Sequence, residues 1–125
     1  MYSQQVTEHF ENPHNIGTIV DADGTATVGS AASGEMLRLT LKISEGIVID
    51  AKFRAFGCPT AIASGSVLTE MIINNSISDA QNITESHISN ALGGLPEDKQ
   101  RYATYAEKAL KNAIVSSQSL QETTQ

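Results

Sequence analysis

The sequence holds a single cysteine, Cys58. One thiol cannot build a disulfide framework inside a chain, nor a cysteine-rich metal site by itself. Basic residues are also scarce: 8 Lys and Arg stand against 14 Asp and Glu, a formal net charge of −6. An acidic surface repels phosphate backbones, which argues against nucleic acid as the main partner and against anionic membrane. No apolar run approaches the roughly 18 residues of a membrane span. The opening Met1-Tyr2-Ser3-Gln4-Gln5 lacks the basic and apolar regions of a targeting segment, so the expected location is the cytoplasm. What remains is ordinary: 125 residues, 40% hydrophobic and 18% charged, one domain able to bury one modest core. That domain is expected to fill 1–125, with a polar tail from about 116 to 125.

The hydrophobic pattern divides this length. Ser3 is a candidate N-cap for a short helix carrying Val6, His9 and Phe10, which should stop at Asn12-Pro13. A loop follows, with turn chemistry at Asp21-Ala22-Asp23-Gly24, and then a short β-prone stretch, Thr25 to Val28. Leu37, Leu39, Leu41 and Ile43 alternate with Arg38, Thr40 and Lys42, the period-two signature of a half-buried strand. After Ser44-Glu45-Gly46 a second alternation puts Ile47, Ile49, Ala51, Phe53 and Ala55 on one face. The two runs are joined too closely for a crossover helix and should form an antiparallel hairpin.

After Phe56-Gly57-Cys58-Pro59 the period becomes helical, with Ala61, Ser64, Leu68, Met71 and Ile72 on one face. A single helical turn fits Ser78 to Gln81. Thr84 caps a short helix from Glu85 to Leu92 that Gly93-Gly94 ends, and the last helix carries Tyr102, Tyr105, Ala106, Ala109, Leu110, Ala113 and Ile114 at helical spacing. The order implies an α+β fold: a small three-stranded antiparallel sheet with helices packed on one face.

Few residues carry chemistry. Cys58 sits between a strand end and a helix start, where unpaired N–H groups and the helix dipole stabilise a thiolate. It also reads as a small buried hydrophobe in a tight turn. His9 lies near an apolar helix face, His14 is expected to bond local backbone, and His87 has no cysteine nearby; none has the spacing of a metal pair. Ser33 lies in a small-residue loop with no signalled base or orienting group, so it is not read as a nucleophile.

Several separated segments, in order, resemble one family. His9-Phe10-Glu11-Asn12-Pro13-His14-Asn15-Ile16-Gly17 is similar to an H-[FY]-x-N-P-[RH]-N-[VI]-G motif. Phe56-Gly57-Cys58-Pro59-Thr60-Ala61-Ile62-Ala63-Ser64-Gly65-Ser66 is similar to [YF]-G-C-x-x-A-I-A-S-S-S, with Thr69-Glu70 in register. Leu95-Pro96, Lys99 and Ala106-Glu107-Lys108-Ala109-Leu110 follow an L-P-x-x-K-x-H-C-x-x-L-A-E-D-A-[IL] ending. The chain thus resembles, from about Tyr2 to Ile114, the U-type iron–sulfur cluster scaffolds, meaning IscU and the N-terminal domain of NifU. The resemblance implies a non-enzymatic role in iron–sulfur cluster assembly.

It also implies a site. The family holds a cluster or metal with three cysteines, an aspartate and a histidine. Those positions fall here on Ser33, Glu35, Cys58, Arg101 and Tyr102. One thiolate of three remains, the carboxylate is one methylene longer, and Arg101 has no lone pair to give. On aligned positions, Arg101 pairs with Glu35 and fills the site with a salt bridge. The family loop L-P-P-V-K, gripped by a dedicated chaperone, becomes Leu95-Pro96-Glu97-Asp98-Lys99, whose two added carboxylates oppose that grip.

Three roles stay open at this point. The first is a scaffold fold without its own cargo, acting by binding a cysteine desulfurase or a ligand-complete scaffold. The second is a carrier in which Cys58 and Glu35, with a ligand from a partner, hold a labile cluster, iron or zinc. The third is a sulfur acceptor at Cys58.

Overall fold

Ser3 begins the first helix, α1 (Gln4–Glu11), by accepting the Val6 N–H on its hydroxyl, and Asn12 closes it before Pro13. The structure, a computed structural model, describes the backbone of residues 2–124 and the side chains as far as Gln118. Three strands follow: β1 (Gly24–Ser30), β2 (Glu35–Ser44) and β3 (Ile47–Phe56). They form one antiparallel sheet in the order β1-β2-β3, as the alternation implied. The β2–β3 turn uses Glu45 and Gly46 at φ of 51° and 75°, the paired left-handed conformation of a two-residue hairpin.

The inner face of the sheet carries Leu37, Leu39, Leu41, Ala51 and Phe53, all buried. One expectation fails here. A bulge between Lys42 and Ile43 resets the register, so Val48 turns inward and Ile49 is left 47% exposed.

Helix α2 (Pro59–Ile72) lies on this inner face. It is buried almost all round rather than on one stripe, because the sheet, α1 and the last helix surround it. Its Gly65 makes the close approach possible: a Cβ there would stand 2.3 Å from the Phe53 ring. Two short helices follow, α3 (Ile77–Ala80) and α4 (Glu85–Ala91), the latter capped by Thr84. The long helix α5 (Gln100–Thr124) then crosses β1 and β2, burying Tyr102, Ala106, Ala109, Leu110, Ala113 and Ile114. The pattern expected to lapse at Ser116 instead continues as helix through Thr124, with Ser117 buried and its hydroxyl returned to the Ile114 carbonyl. The side chains of that tail beyond Gln118 lie outside the described residues.

The segment between α1 and β1 takes an unusual route. Asn15 and Gly17 bond the backbone of Phe53, laying Ile16 beside the β3 edge. The chain then crosses the outer face: Thr18 meets Arg54, Ile19 meets Thr40, Asp21 meets Lys42, and Asp23 bonds the Leu41 carbonyl. This crossover buries Thr40 on the outer face, among Arg38, Lys42, Lys52 and Arg54.

Candidate functional site

Three elements meet at one end of the sheet. Glu35 opens β2, Cys58 stands at the N-cap of α2, and Arg101, Tyr102 and Tyr105 lie in the first turns of α5. Gly57 holds the link between β3 and α2 at φ 135°, where a Cβ would stand 2.9 Å from that of Glu35. Only glycine lets the thiol-bearing turn sit this close to the carboxylate.

Glu35 is saturated with donors. The Tyr102 hydroxyl donates to Oε2 at 2.7 Å and the Tyr105 hydroxyl to Oε1 at 2.9 Å. Arg101 Nε lies 3.2 Å from Oε1, and its Nη2 donates to the Tyr102 oxygen at 3.0 Å. The Arg101 guanidinium also lies 4.6 Å from the Tyr102 ring centroid. The expected Glu35–Arg101 pair is therefore present, and two tyrosines complete it. The Tyr102 and Arg101 donors, followed by Tyr105, draw the Glu35 carboxyl from 4.5 down to about 2. Burial, and then its bond to Glu35, push the Tyr102 phenol well above its usual value.

Cys58 borders this network. Burial pushes its thiol up, but the Tyr102 hydroxyl, the N–H groups of Ala61 and Thr60 and the Thr60 hydroxyl pull it below the ordinary thiol value. This is the effect of a helix N-terminus reinforced by two hydroxyls. Tyr102 has one proton, so Glu35 and a Cys58 thiolate compete for it. Cys58 is a half-buried free thiol.

Ser33 is not part of this assembly. It is exposed in the β1–β2 turn, where its hydroxyl bonds the carbonyls of Ser30 and Glu35. The Leu95–Lys99 segment is adjacent. Leu95 packs on the core, Pro96 is exposed before the single 3₁₀ turn Glu97–Lys99, and Lys99 is half-buried. Arg101 Nη1 bonds the Asp98 carbonyl, tying this loop to Glu35.

The histidines do not join the site. His14 departs from its expected role: its ring pairs with Glu70, while its backbone N–H donates to Ser66 at 2.9 Å. His9 Nδ1 lies 2.7 Å from the same Ser66 hydroxyl. Both clasp α1 and the following loop onto α2. His87 completes the cap of α4. Among the described residues no group of three His, Cys, Asp or Glu side chains is placed to hold a metal.

Sequence reasoning missed Tyr105 and Thr60. Tyr105 follows Arg101 by one helical turn, so its spacing pointed to the site while its apolar ring placed it in the core stripe. Thr60 carried no signal beyond its place two residues after the thiol.

This arrangement defines a small α+β domain with a thiol at a helix N-terminus facing a carboxylate at a sheet end. The family profile "NifU-like N terminal domain" matches residues 1–123. The chain is 44% identical over 115 residues to the iron–sulfur cluster assembly scaffold protein IscU 1 of Archaeoglobus fulgidus, covering 92% of this chain and 75% of that one. It is 39% identical over 125 residues to the iron–sulfur cluster assembly scaffold protein IscU of Escherichia coli, covering 97% of each. A putative iron–sulfur cluster assembly scaffold for the SUF system from Fervidobacterium islandicum shares the fold: TM-score 0.71 at 20% identity, covering 90% of this chain and 96% of that one. The chain belongs to the U-type iron–sulfur cluster scaffold family, and its process is iron–sulfur cluster assembly. Both IscU relatives are named as assembly scaffold proteins. No helix among the described residues is long and apolar enough to cross a membrane.

Proposed function

We propose that this protein serves cluster assembly through protein–protein binding, without a cluster or metal of its own. One observation carries the reading: the carboxylate that would face a metal is held by Arg101, Tyr102 and Tyr105. Iron–sulfur cargo is bound mainly by thiolates, and here one thiol stands alone beside a guanidinium, which repels Fe²⁺ and Zn²⁺ and has no lone pair to give. The donor set does not fit the cargo. A carrier built from Cys58, Glu35 and a partner's ligand must first displace three donors from Glu35.

The partners this reading names are a cysteine desulfurase and a ligand-complete scaffold, with which a cargo-free copy of the fold competes or pairs. A chaperone that grips the Leu95–Lys99 loop is disfavoured by the carboxylates of Glu97 and Asp98. Pull-down against both partners from the same source tests the reading, together with anaerobic reconstitution of the isolated protein. Capture of either partner and a colourless, iron-free product are expected. Retention of neither, or stoichiometric iron, overturns it.

The lowered Cys58 thiol favours a second reading, sulfur acceptance. The Cys58 thiolate attacks the outer sulfur of a donor persulfide, the donor's S–S bond breaks, and the donor leaves as a thiolate while Cys58 keeps the new persulfide. Alkylation rate against pH checks the premise: a thiol inert up to about pH 9, beyond its ordinary range, ends it.

A further inference from the structure

The sheet has two free edges, and the chain treats them differently. Along β3 the edge is taken. Val48 donates its N–H to the Asn75 carbonyl and accepts the Asn74 N–H, the Asp50 carboxylate holds the Ala51 N–H, and Phe53 pairs with Asn15 and Gly17. Along β1 nothing comparable lies. Phe53 turns its N–H and carbonyl away from β2, so Leu39 opposite it turns its own toward β1, where it faces Ala26. The bonds of β1 to β2 therefore fall to Ala26 and its even-numbered neighbours, and Thr25, Thr27 and Gly29 point their backbone groups outward. The Thr25 N–H reaches the Ser116 hydroxyl at 3.4 Å, in agreement with that phase. The Thr25 carbonyl, the Thr27 N–H and carbonyl and the Gly29 N–H meet no partner among the described residues, and all three residues are exposed. Gly29, at φ 82°, then turns the chain out of the run.

Native edges are blunted by charge, proline or a bulge. Gly24–Ser30 carries no charged residue and no proline, and it pairs with β2 without a register shift. Such an edge is a template for one more strand: backbone bonds supply affinity and alternate side chains supply selectivity. Ala26 and Val28 pack against the core while Thr25 and Thr27 face out, so a fitting strand alternates apolar and hydroxyl side chains.

The helix beneath decides what can carry that strand. A Cβ on Gly24 would stand 2.3 Å from the Ala113 carbonyl, and Ser116 reaches the edge itself, so α5 lies directly under β1. A second copy paired antiparallel across a two-fold would bring its own α5 under its own β1. The two helices would then lie about one strand spacing apart, ~4.8 Å, where packed helices need about 8–10 Å. A tail or loop with no helix under it meets no such obstacle.

We propose that the edge of β1, at Thr25, Thr27 and Gly29, takes up an extended segment of a partner protein, proline-free and alternating apolar and hydroxyl side chains, as an added strand. This goes beyond the cargo reading and uses neither Cys58 nor Glu35. Its probe contains no iron, desulfurase or scaffold, so either idea can fail alone.

The probe is a labelled peptide of alternating threonine and valine with a lysine at each end, titrated with the full chain by fluorescence anisotropy. Saturation below about 1 mM is expected. The backbone amide signals of Thr25, Thr27 and Gly29 should shift on titration, while those of Val48 and Phe53 stay in place. N-methylation of every threonine and valine in the peptide keeps the side chains, removes the donors and should weaken binding at least about tenfold. Thr27→Pro should do the same while melting close to wild type, because proline is tolerated where the N–H points away from the ladder. The methylated peptide and the amide shifts read the wild-type chain, so the test holds even for a Thr27→Pro that unfolds. The proposal is overturned by no binding up to about 1 mM, by equal binding of the methylated peptide, by shifts confined to other elements, or by a folded Thr27→Pro that binds like wild type. A dimer in sedimentation that the peptide dissociates also overturns it, and gives the edge to a second copy.

Discussion

Arg101 and the Arg38–Arg54 pair stand at the same end of one sheet, on opposite faces. Inside, a single guanidinium meets a carboxylate, one phenol and a backbone carbonyl, and both that phenol and a second one donate to the same carboxylate. Outside, two guanidiniums face each other with one threonine hydroxyl apiece. The inner cluster is closed and satisfied by its own chain, so it has little left to offer a ligand. The outer pair is incomplete as it stands. A satisfied polar network specifies structure, whereas exposed charges held by one hydroxyl each add little to it.

The largest expected effect breaks the inner closure. The combined variant Ser33→Cys, Glu35→Asp, Arg101→His, Tyr102→Cys restores the family's donor types. After anaerobic reconstitution it should hold iron and sulfide in stoichiometric amount where wild type holds none. Equal, negligible iron in both would mean that more than the donor set closes the site.

A smaller change tests how the closure is held. Tyr102→Phe removes a buried donor to a charged acceptor and should cost about 2 kcal/mol in denaturant unfolding. The same variant should raise the Cys58 thiol toward its ordinary value and slow its alkylation near neutral pH. Glu35→Gln should do the reverse, since Tyr102 is then free to serve the thiolate and a nearby negative charge is gone. Matching alkylation rates in the two variants would exclude competition for the Tyr102 proton.

The pH profile comes next. Glu35 is more acidic folded than unfolded, so its contribution is complete above its ordinary 4.5 and is lost as the pH falls through about 2. Stability measured across that window should fall in wild type and change less in Glu35→Gln. Smallest is the outer pair: Arg38→Thr with Arg54→Thr should leave stability unchanged or raise it by about 0.5 kcal/mol, as like-charge opposition is relieved.

The hairpin was legible in the sequence because Leu37, Leu39 and Leu41 alternate with polar residues, and a half-buried strand requires that period. The bulge was not, since Val48 and Ile49 are both apolar and only the register separates them. Helix α2 reads as one-sided because alanine, serine, threonine and glycine carry little hydrophobic signal, yet small residues are what dense packing on several sides demands. Glu35 and Arg101, 66 positions apart, came together only through family alignment; no local pattern encodes such a contact. The Arg38–Arg54 pair was not legible either: the two-residue turn alone would set Arg38 opposite Phe53, and the bulge moves it to Arg54.

The route of the first quarter of the chain has a kinetic consequence. Ser3 bonds the Leu92 carbonyl, Asn15 and Gly17 pair with Phe53, and His9 and His14 reach Ser66. During synthesis α1 and the crossover emerge first, but their docking surfaces come tens of residues later. That segment must therefore wait, undocked, until the hairpin and α2 exist, and it should be the last part of the protein to lock in refolding.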